Sequence, residues 1–293
     1  MSSFNAACVQ MRSGVDQDRN IKDLIGLVRE AASLGAEYVQ TPEMTGLVQK
    51  SRKALFPQIQ RDENNPVFAA ASELASELGI WLHIGSTAIL LDENRAANRA
   101  ALFAPSGERV AIYDKIHMFD VDLDNGESWR ESAIYKAGTK VVLIEDGPTD
   151  LGLAICYDLR FPGQFRQQAE NGASMLTCPA CFTRQTGEAH WHVLLRSRAI
   201  ENGAYMVAAA QGGKHEDGRE SFGHSLIIDP WGKIVAELDH DEPGIVLALI
   251  EPERAQIARR KIPALRYQSV EELEIIKLSS EGTSSSDVAK EFS

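Results

Sequence analysis

The sequence predicts a single α/β domain in which helices cover a mixed arrangement of β-strands. Three observations point to this fold class: strand-like and helix-like patterns alternate, helices separate the strands of the first half, and hairpins join those of the second half. The chain has 293 residues, of which 44% are hydrophobic and 25% charged, so it can bury a large core without disulfides or metals. No internal repeat or linker divides it.

The first half alternates strands with amphipathic helices. A buried strand over residues 4–11 is followed by Asp16 and a helix with apolar side chains at helical spacing. Pro66 opens a second amphipathic helix, and Gly79 ends it. Further strands are predicted at 37–40, 80–91, 99–104 and 110–113. Residues 114–140 are polar and irregular, and we expect one long loop there.

The second half adds hairpins to this alternation. Strands are predicted at 141–144, 151–155, 174–177, 205–210, 225–228, 234–238 and 245–250. Helices are predicted after Pro162, over 188–201 and over 252–260. Asp229-Pro230-Trp231-Gly232 has the composition of a tight hairpin turn. The Ser-rich stretch 281–293 is expected to be a mobile tail.

Charge and composition exclude several function classes. The chain carries 42 acidic and 30 basic residues, a net charge of −12, which disfavours bulk electrostatic binding to nucleic acid or an anionic membrane. No apolar run approaches the roughly 20 residues of a membrane span, and the N-terminus does not resemble a signal peptide. Four unevenly spread cysteines are unlike a disulfide framework and favour a reducing, cytoplasmic setting.

One predicted strand ends in a cysteine. The segment LGLAICYDLRFP leads from an apolar strand through Cys156 into a helix at Pro162. At such a bend a thiol can be exposed, and the amides of a helix N-terminus can stabilise a thiolate or an oxyanion. A buried structural cysteine is the alternative interpretation, because free cysteines are commonly buried.

Two charged residues also follow strand ends. Glu43 comes directly after Pro42 and the strand at 37–40, and Lys115 follows the strand at 110–113. Proteins of the α/β class gather catalytic groups at strand ends. A carboxylate there can act as a general base, and an ammonium can stabilise an oxyanion or lower the pKa of a thiol. A solvated glutamate and an exposed lysine are the alternatives.

Glu43, Lys115 and Cys156, in that order along the chain, make the sequence resemble the nitrilase (carbon–nitrogen hydrolase) superfamily. The matching blocks are TPEM, YDKIHMFD and AICYDLRFP, and the resemblance extends over residues 4–266. The segments AHWHVLLRSRAIENGAYMVAAAQ, SFGHSLIIDPWG and RESAIYKAG are similar to the amidase branches typified by deaminated-glutathione amidase and ω-amidase, and more similar to the former.

The resemblance implies a mechanism. Glu43 takes the proton of Cys156, and the thiolate attacks an amide carbonyl. Lys115 and the backbone N–H of Tyr157 stabilise the oxyanion, and water hydrolyses the resulting thioester, so that the products are an acid and ammonia. A second glutamate, Glu131 by its position in the RES block, orients the amide and the water. No metal or organic cofactor is implied.

Glu127 is the alternative position for the second glutamate.

The resemblance also implies a fold and an oligomeric state. The implied fold is an αββα sandwich spanning 1–270 as one hydrolase domain, followed by a polar tail at 271–293. Members of the superfamily pair through such sandwiches, so we expect a homodimer or a higher homo-oligomer. Its interface would contain the helices at 162–171 and 188–202.

The expected substrate is a small amide that carries a carboxylate, such as deaminated glutathione or a similar ω-keto amide. Arg160 and Arg184 lie near the nucleophile in sequence or on the following strand-end loop, and arginine binds carboxylates through two parallel hydrogen bonds. Surface or interface salt bridges are the alternative role for both. Within the same fold, N-carbamoyl amidohydrolase and nitrilase activity remain alternative reactions.

A Cys-x-x-Cys pair, Cys178 and Cys181, suggests a different function. Such a pair can be redox-active or can form half of a zinc site. The sequence has no second cysteine pair, and His190 and His192 are two residues apart on a predicted helix, so their side chains point in different directions. A thiol redox protein is therefore a less favoured alternative.

Overall fold

The computed structural model describes residues 2–123, 126, 128–266 and 275–276. Glu127 and, apart from residues 275–276, the polar tail predicted at 271–293 lie outside this described part. The helices are α1 Gln17–Ser33, α2 Arg52–Leu55, α3 Pro66–Leu78, α4 Pro162–Glu170, α5 Arg184–Asn202 and α6 Pro252–Lys261. Short 3-10 helices occur at Asp62–Asn64, Glu131–Ala133, Cys156–Arg160 and Ala264–Arg266.

The strands form two six-stranded sheets and two short hairpins. They are β1 Phe4–Gln10, β2 Tyr38–Gln40, β3 Trp81–Leu90, β4 Ala96–Phe103, β5 Arg109–Asp114, β6 Asp120–Asp122, β7 Ser128–Arg130, β8 Val142–Ile144, β9 Leu151–Leu153, β10 Met175–Thr177, β11 Tyr205–Ala208, β12 Gly212–Lys214, β13 Glu220–Phe222, β14 Leu226–Ile228, β15 Ile234–Glu237 and β16 Gly244–Ile250. The first sheet has the order β16-β1-β2-β3-β4-β5 and the second β15-β14-β11-β10-β9-β8. The hairpins are β6–β7 and β12–β13.

Both sheets are mixed in the same way. Strands β1, β2 and β3 run parallel, as do β9, β10 and β11, and the outer strands of each sheet pair antiparallel. The parallel centres need helical crossovers, which α1, α3, α4 and α5 supply. The mixed arrangement predicted from the alternation of patterns is therefore confirmed.

The core shows how the layers stack. One cluster of buried side chains joins the sheets, with Cys8 and Tyr38 of the first and Leu176 and Val207 of the second, and continues to Trp191 of α5. A second cluster packs α1 and α3 against the other face of the first sheet. The order of layers is thus helix, sheet, sheet, helix, which is the αββα sandwich that the resemblance implied. Sheets packed in this way exclude water between their facing side chains.

The ends of the helices follow from local chemistry. The side chain of Asp16 accepts a hydrogen bond from the Arg19 amide, and that of Asn65 accepts from the first turn of α3, so both residues cap free amides. Pro66 begins α3, and Gly79 ends it with φ of +66°, a left-handed conformation that glycine adopts without steric cost.

Two predicted elements differ from the structure. The single loop predicted at 114–140 contains the β6–β7 hairpin and a 3-10 turn, because three-residue polar strands leave no readable alternation. Helix α5 begins at Arg184 instead of residue 188, and its first turn includes Gly187, which weakens the helical pattern. A Cβ at Gly187 would lie 2.3 Å from that of Phe222, so close packing requires this glycine. The β12–β13 hairpin was not predicted.

Candidate active site

Three side chains from different strand ends meet at one place. Glu43 follows β2, Lys115 follows β5 and Cys156 follows β9; the first two strands belong to one sheet and the third to the other. Their exposures are only 3%, 2% and 8%. Lys115 Nζ lies 2.9 Å from Glu43 Oε1. Burial raises the pKa of the Cys156 thiol, and the Glu43 carboxylate is close enough to raise it further.

The backbone is strained at Cys156 and at Met44, the residue that follows Glu43. Cys156 has φ of +49°, and Met44, the residue after Glu43, has φ of +57°. Residues other than glycine occupy this left-handed region at a cost of about 1–3 kcal/mol, and such residues cluster at functional sites. The Met44 amide donates to Ser86 Oγ at 2.9 Å, and the Cys156 amide donates to the Pro179 carbonyl at 2.9 Å. These bonds hold the two sharp turns in place.

Glu131 joins this cluster from the 3-10 turn after β7. Lys115 Nζ lies 2.8 Å from Glu131 Oε2 and 3.0 Å from Oε1. The Phe119 amide donates to Glu131 Oε2 at 2.7 Å. The two glutamates therefore share one buried ammonium. The structure places Glu131 beside Lys115 and Asn98, in the same buried cluster as Glu43.

Asn98, on β4, was not singled out from the sequence. Its Nδ2 donates to Glu43 Oε1 at 2.8 Å and to Glu131 Oε1 at 3.1 Å. Because both partners are carboxylate oxygens, which only accept, the side chain must present its NH2 group to them. An asparagine inside a strand carries no recognisable motif, so the sequence offered no signal for this contact.

Asp158 connects the segment around Lys115 to the turn that carries Cys156. Its fully buried carboxylate accepts from Tyr113 Oη at 2.6 Å, from the Ile155 amide at 2.9 Å and from both the amide and the ring Nδ1 of His117 at 3.0 and 2.7 Å. Four hydrogen bonds to one buried carboxylate compensate the cost of its burial. Lys115 and Cys156, which come from different sheets, are thereby fixed relative to each other.

Burial and mutual charge set the protonation of the cluster. Burial alone raises the pKa of Glu43, but Lys115, the Cys156 thiol and Asn98 outweigh this and bring the pKa below its usual value. Burial and the Glu43 carboxylate raise the pKa of Cys156 well above the usual range. Burial opposes the charged form of Lys115, yet Glu131 and Glu43 raise its pKa well above the usual range. The resting cluster is therefore carboxylate, ammonium and neutral thiol.

A cavity of about 670 Å³ opens onto Cys156, Glu43, Lys115 and Glu131. Its apolar wall includes Phe119, Trp129, Ile134, Tyr157 and Phe182. Small-molecule sites in proteins commonly have this size and combine mostly apolar walls with a few polar groups. The cavity has the dimensions and lining of a binding site for a small organic molecule.

The residues predicted to contact substrate lie in different places. Tyr157 lines the cavity, and its amide belongs to the first turn of a 3-10 helix, where N–H groups lack an intrahelical acceptor. Arg160 and Arg184 are not among the lining residues. The Arg160 guanidinium lies over the Phe182 ring at 5.4 Å, and Arg184 forms ion pairs with Asp241 and Glu220.

The cysteine pair is divided between two environments. Cys178 Sγ donates to the Cys156 carbonyl at 3.7 Å, whereas Cys181 Sγ contacts Ser221 Oγ at 3.2 Å. Both cysteines are free thiols. Among the described residues, no group of three or more His, Cys, Asp or Glu side chains could hold a metal ion. In the same part of the chain, no helix is long and apolar enough to cross a membrane.

Known sequences are similar to this chain over most of its length. A family model described as "Carbon-nitrogen hydrolase" matches residues 5–260. Deaminated glutathione amidase of Synechocystis sp. is 36% identical over 277 residues, which cover 92% of this chain and 99% of that protein. Deaminated glutathione amidase of Mus musculus is 37% identical over 267 residues, covering 89% and 82% of the two chains.

Solved structures share the architecture. The C. elegans NitFhit protein superposes with a TM-score of 0.82 at 32% identity, and the match covers 92% of this chain. This chain spans 65% of the length of NitFhit. Saccharomyces cerevisiae Nit3, described as a member of branch 10 of the nitrilase superfamily, superposes with a TM-score of 0.79 at 26% identity, and the match covers 89% of this chain and 94% of that one.

Proposed function

The chain belongs to the carbon–nitrogen hydrolase family, and from this premise we propose that it is an amidase with Cys156 as its nucleophile. The observation that carries the proposal is the buried contact of Glu43 with both the Cys156 thiol and the Lys115 ammonium, at the wall of a cavity. A base, a nucleophile and a fixed cation in one place are the parts that acyl transfer requires.

The first chemical step is attack on the amide. Glu43 accepts the thiol proton as the Cys156 sulfur forms a bond to the amide carbon, whose π electrons move to oxygen. The pKa values favour this order, since the resting thiol stays protonated until substrate arrives and the carboxylate is ready to accept the proton. Lys115 and the Tyr157 amide are the donors that stabilise the oxyanion. Loss of one such donor typically costs about 10²–10³ in rate.

Collapse of the tetrahedral intermediate breaks the carbon–nitrogen bond. The leaving nitrogen takes the proton from Glu43 and departs as ammonia or an amine, and a thioester remains on Cys156. Glu43 then takes a proton from water, whose oxygen attacks the thioester carbon, and Cys156 leaves as the thiolate and regains the proton. Glu131, held by Lys115 and Asn98, is placed to orient the amide nitrogen and then the water.

The proposed substrate is an amide that carries a carboxylate, with deaminated glutathione as the first candidate. The support is the shared name of the relatives at 36% and 37% identity, which cover about nine-tenths of this chain. A cavity of about 670 Å³ can hold a peptide-sized amide rather than acetamide alone.

Mass spectrometry tests the nucleophile and the acyl group together. The protein is incubated with deaminated glutathione, ω-keto amides, N-carbamoyl compounds and nitriles, quenched in acid and digested. We expect an acyl adduct on the peptide containing Cys156 and product release only from the amides. An adduct on Cys178 or Cys181 instead, or turnover confined to nitriles or N-carbamoyl compounds, contradicts the proposal.

We also propose that the protein is a homodimer that functions in the cytoplasm. Helices α4 and α5 are the proposed interface, and Val193 and Ile200 of α5 are 65% and 53% exposed, with Trp231 nearby at 60%. Light scattering on wild type and Val193→Asp tests the dimer, which the added charge should weaken.

The proposed location follows from the thiol. The catalytic thiol requires a reducing compartment, and this favours the cytoplasm.

A further inference from the structure

Two cations that the proposed mechanism does not use lie together on the cavity wall. Lys50 and Arg219 both line the cavity on either side of Gly218. A Cβ at Gly218 would lie 3.5 Å from Lys50 Nζ, so the ammonium is close to this glycine. Gly218 has φ of +89°, a conformation that other residues rarely adopt. We call Lys50, Gly218 and Arg219 the cationic wall.

A buried aspartate behind this wall holds the backbone of Lys50 and the side chain of Arg219. Asp217 Oδ2 accepts from the Lys50 amide at 2.9 Å and from Arg219 Nε at 3.0 Å. The Asp217 side chain is 2% exposed and that of Arg219 is 16% exposed. The guanidinium also lies 5.1 Å from the centre of the Trp129 ring. Arg219 is thus held in one orientation before any ligand binds, which reduces the entropy lost on binding.

The other cations that line the cavity have partners of their own, and Arg52 Nη2 donates to Asn94 Oδ1 at 2.9 Å. Lys115 binds Glu43 and Glu131, and Arg130 Nη2 lies 2.9 Å from each carboxylate oxygen of Asp122. Within the part of the chain that the structure describes, the Lys50 ammonium has no ion-pair partner. Asp217 pairs with Arg219, and Glu220, which also lines the cavity, pairs with Arg184. The unpaired Lys50 ammonium therefore leaves the cationic wall with positive charge available to an anion.

The cationic wall connects to the nucleophile through a short series of contacts. Burial raises the pKa of the Cys181 thiol, and the Arg219 guanidinium opposes this rise by its charge. The Cys181 amide donates to Glu43 at 2.8 Å. Glu43 in turn contacts the Cys156 thiol. The guanidinium and the Cys156 cluster thus line the same cavity, with Cys181 between them.

Charge separates the two ends of the cavity. The cluster of Glu43, Glu131 and Lys115 contains two acidic side chains for one ammonium, so it offers no free cation to the carboxylate of a substrate. We propose that Lys50 and Arg219 bind the carboxylate of the substrate and thereby make the enzyme select anionic amides. This inference rests on the proposed amidase function and names the residues that recognise its substrate. Arginine suits the role because its planar fork matches a carboxylate.

Two measurements test the inference independently. The first is kcat/KM for the monoamide of glutaric acid relative to pentanamide, its uncharged analogue of equal chain length. The second is the Kd of glutarate by calorimetry, which requires no turnover. Both are determined for wild type, Lys50→Gln, Arg219→Gln and Arg219→Lys. Arg29→Gln, a surface arginine paired with Glu77, is the matched control. Circular dichroism confirms folding.

We expect Arg219→Gln to lower the anionic-to-neutral ratio and weaken glutarate binding by about 10- to 100-fold, the usual effect of losing a charge-assisted hydrogen bond. Lys50→Gln should produce a smaller loss, and Arg219→Lys an intermediate one, because lysine retains the charge without the fork. Arg29→Gln should change neither quantity. Arg219 is largely buried, so its replacement could prevent folding. Lys50→Gln tests the inference even in that case.

The outcomes separate this inference from the proposed function. If neither amide is hydrolysed and no acyl adduct forms on Cys156, the amidase proposal fails, while glutarate binding still tests the cationic wall. If both amides are hydrolysed but the ratio and the Kd do not respond to Lys50 and Arg219, this inference alone is overturned. Loss of selectivity in Arg160→Gln or Arg184→Gln instead would assign recognition to the arginines expected from the sequence.

Discussion

The backbone amide of Cys181 donates a 2.8 Å hydrogen bond to Oε2 of Glu43, while Lys115 and Asn98 both bind Oε1 of the same carboxylate. Cys181 therefore contacts the proposed base through its main chain, and its sulfur points to other partners. The Cys-x-x-Cys spacing suggested redox or zinc chemistry, but this contact supports a positioning role for the segment that carries the pair.

Replacing the nucleophile should abolish turnover without unfolding the protein. We expect Cys156→Ala to lose at least about 10³ in product release, because the proposed thioester forms on the Cys156 sulfur. Its melting temperature should stay close to that of wild type, since alanine fits within the space that the buried thiol occupies. Appreciable turnover by this variant would falsify the assignment of the nucleophile.

Asn98 should act by positioning the two glutamates. Asn98→Ala removes donors to both carboxylates, so kcat should fall about 10- to 100-fold. The pKa of Glu43 should rise, since Asn98 helps to lower it, and the acidic limb of the kcat/KM profile should move to higher pH. A purely structural residue would change stability and leave this limb in place. Thr87→Ala, at a buried polar residue of the neighbouring strand, is the control.

The pH profile of kcat/KM should be broad. Glu43 has a pKa below its usual 4.5, so the carboxylate form persists into acid and half of the activity should be lost only below about pH 4.5. Cys156 and Lys115 have pKa values well above their usual 9.0 and 10.5, so no alkaline limb is expected before about pH 9. A bell centred on pH 7 with both limbs within one unit would contradict these protonation states.

Acid should destabilise the protein through His83. Burial lowers its pKa to about 3 from 6.5, so below pH 6.5 the unfolded chain binds a proton that the folded chain rejects. The free energy of unfolding should therefore decrease by about 1.4 kcal/mol per pH unit between pH 6 and pH 3 from this group alone. Denaturant unfolding of His83→Gln should show a shallower dependence, with the exposed His190→Gln as control.

The cysteine pair should not behave as a redox couple. Cys178 Sγ and Cys181 Sγ contact different partners, so we expect mild oxidation by diamide to form no disulfide between them. Peptide mapping after alkylation measures this directly. A reversible disulfide between residues 178 and 181 that switches activity off would restore the redox hypothesis. Cys8→Ser is the control for general thiol loss.

The sequence was informative where local pattern determines structure. Apolar runs that end in Glu43, Lys115 and Cys156 marked strand ends, and the structure brings these three side chains together. The strands and helices of the sandwich were likewise predicted to within a few residues, except where polar strands of three residues or a glycine inside a helix weakened the pattern.

Contacts that depend on tertiary packing could not be predicted. Asn98 lies on β4, 55 residues from Glu43, and the Cys181 amide is 138 residues away from the same carboxylate. Arg160 and Arg184 were chosen because they are near Cys156 or a strand end, but proximity along the chain does not determine which arginine faces a cavity. Arg219, on a hairpin that the sequence did not reveal, does line the cavity.

Glu43 and Lys115 follow strands of one sheet and Cys156 follows a strand of the other, so the proposed catalytic cluster exists only when the two sheets are docked. Product formation is therefore a sensitive reporter of that docking. Circular dichroism is less sensitive, because it measures total secondary structure whether or not the two sheets are docked. During refolding, secondary structure should return before activity does. The same division makes the chain a candidate for fragment complementation: a break between β7 and β8 would leave two inactive pieces whose reassociation restores catalysis.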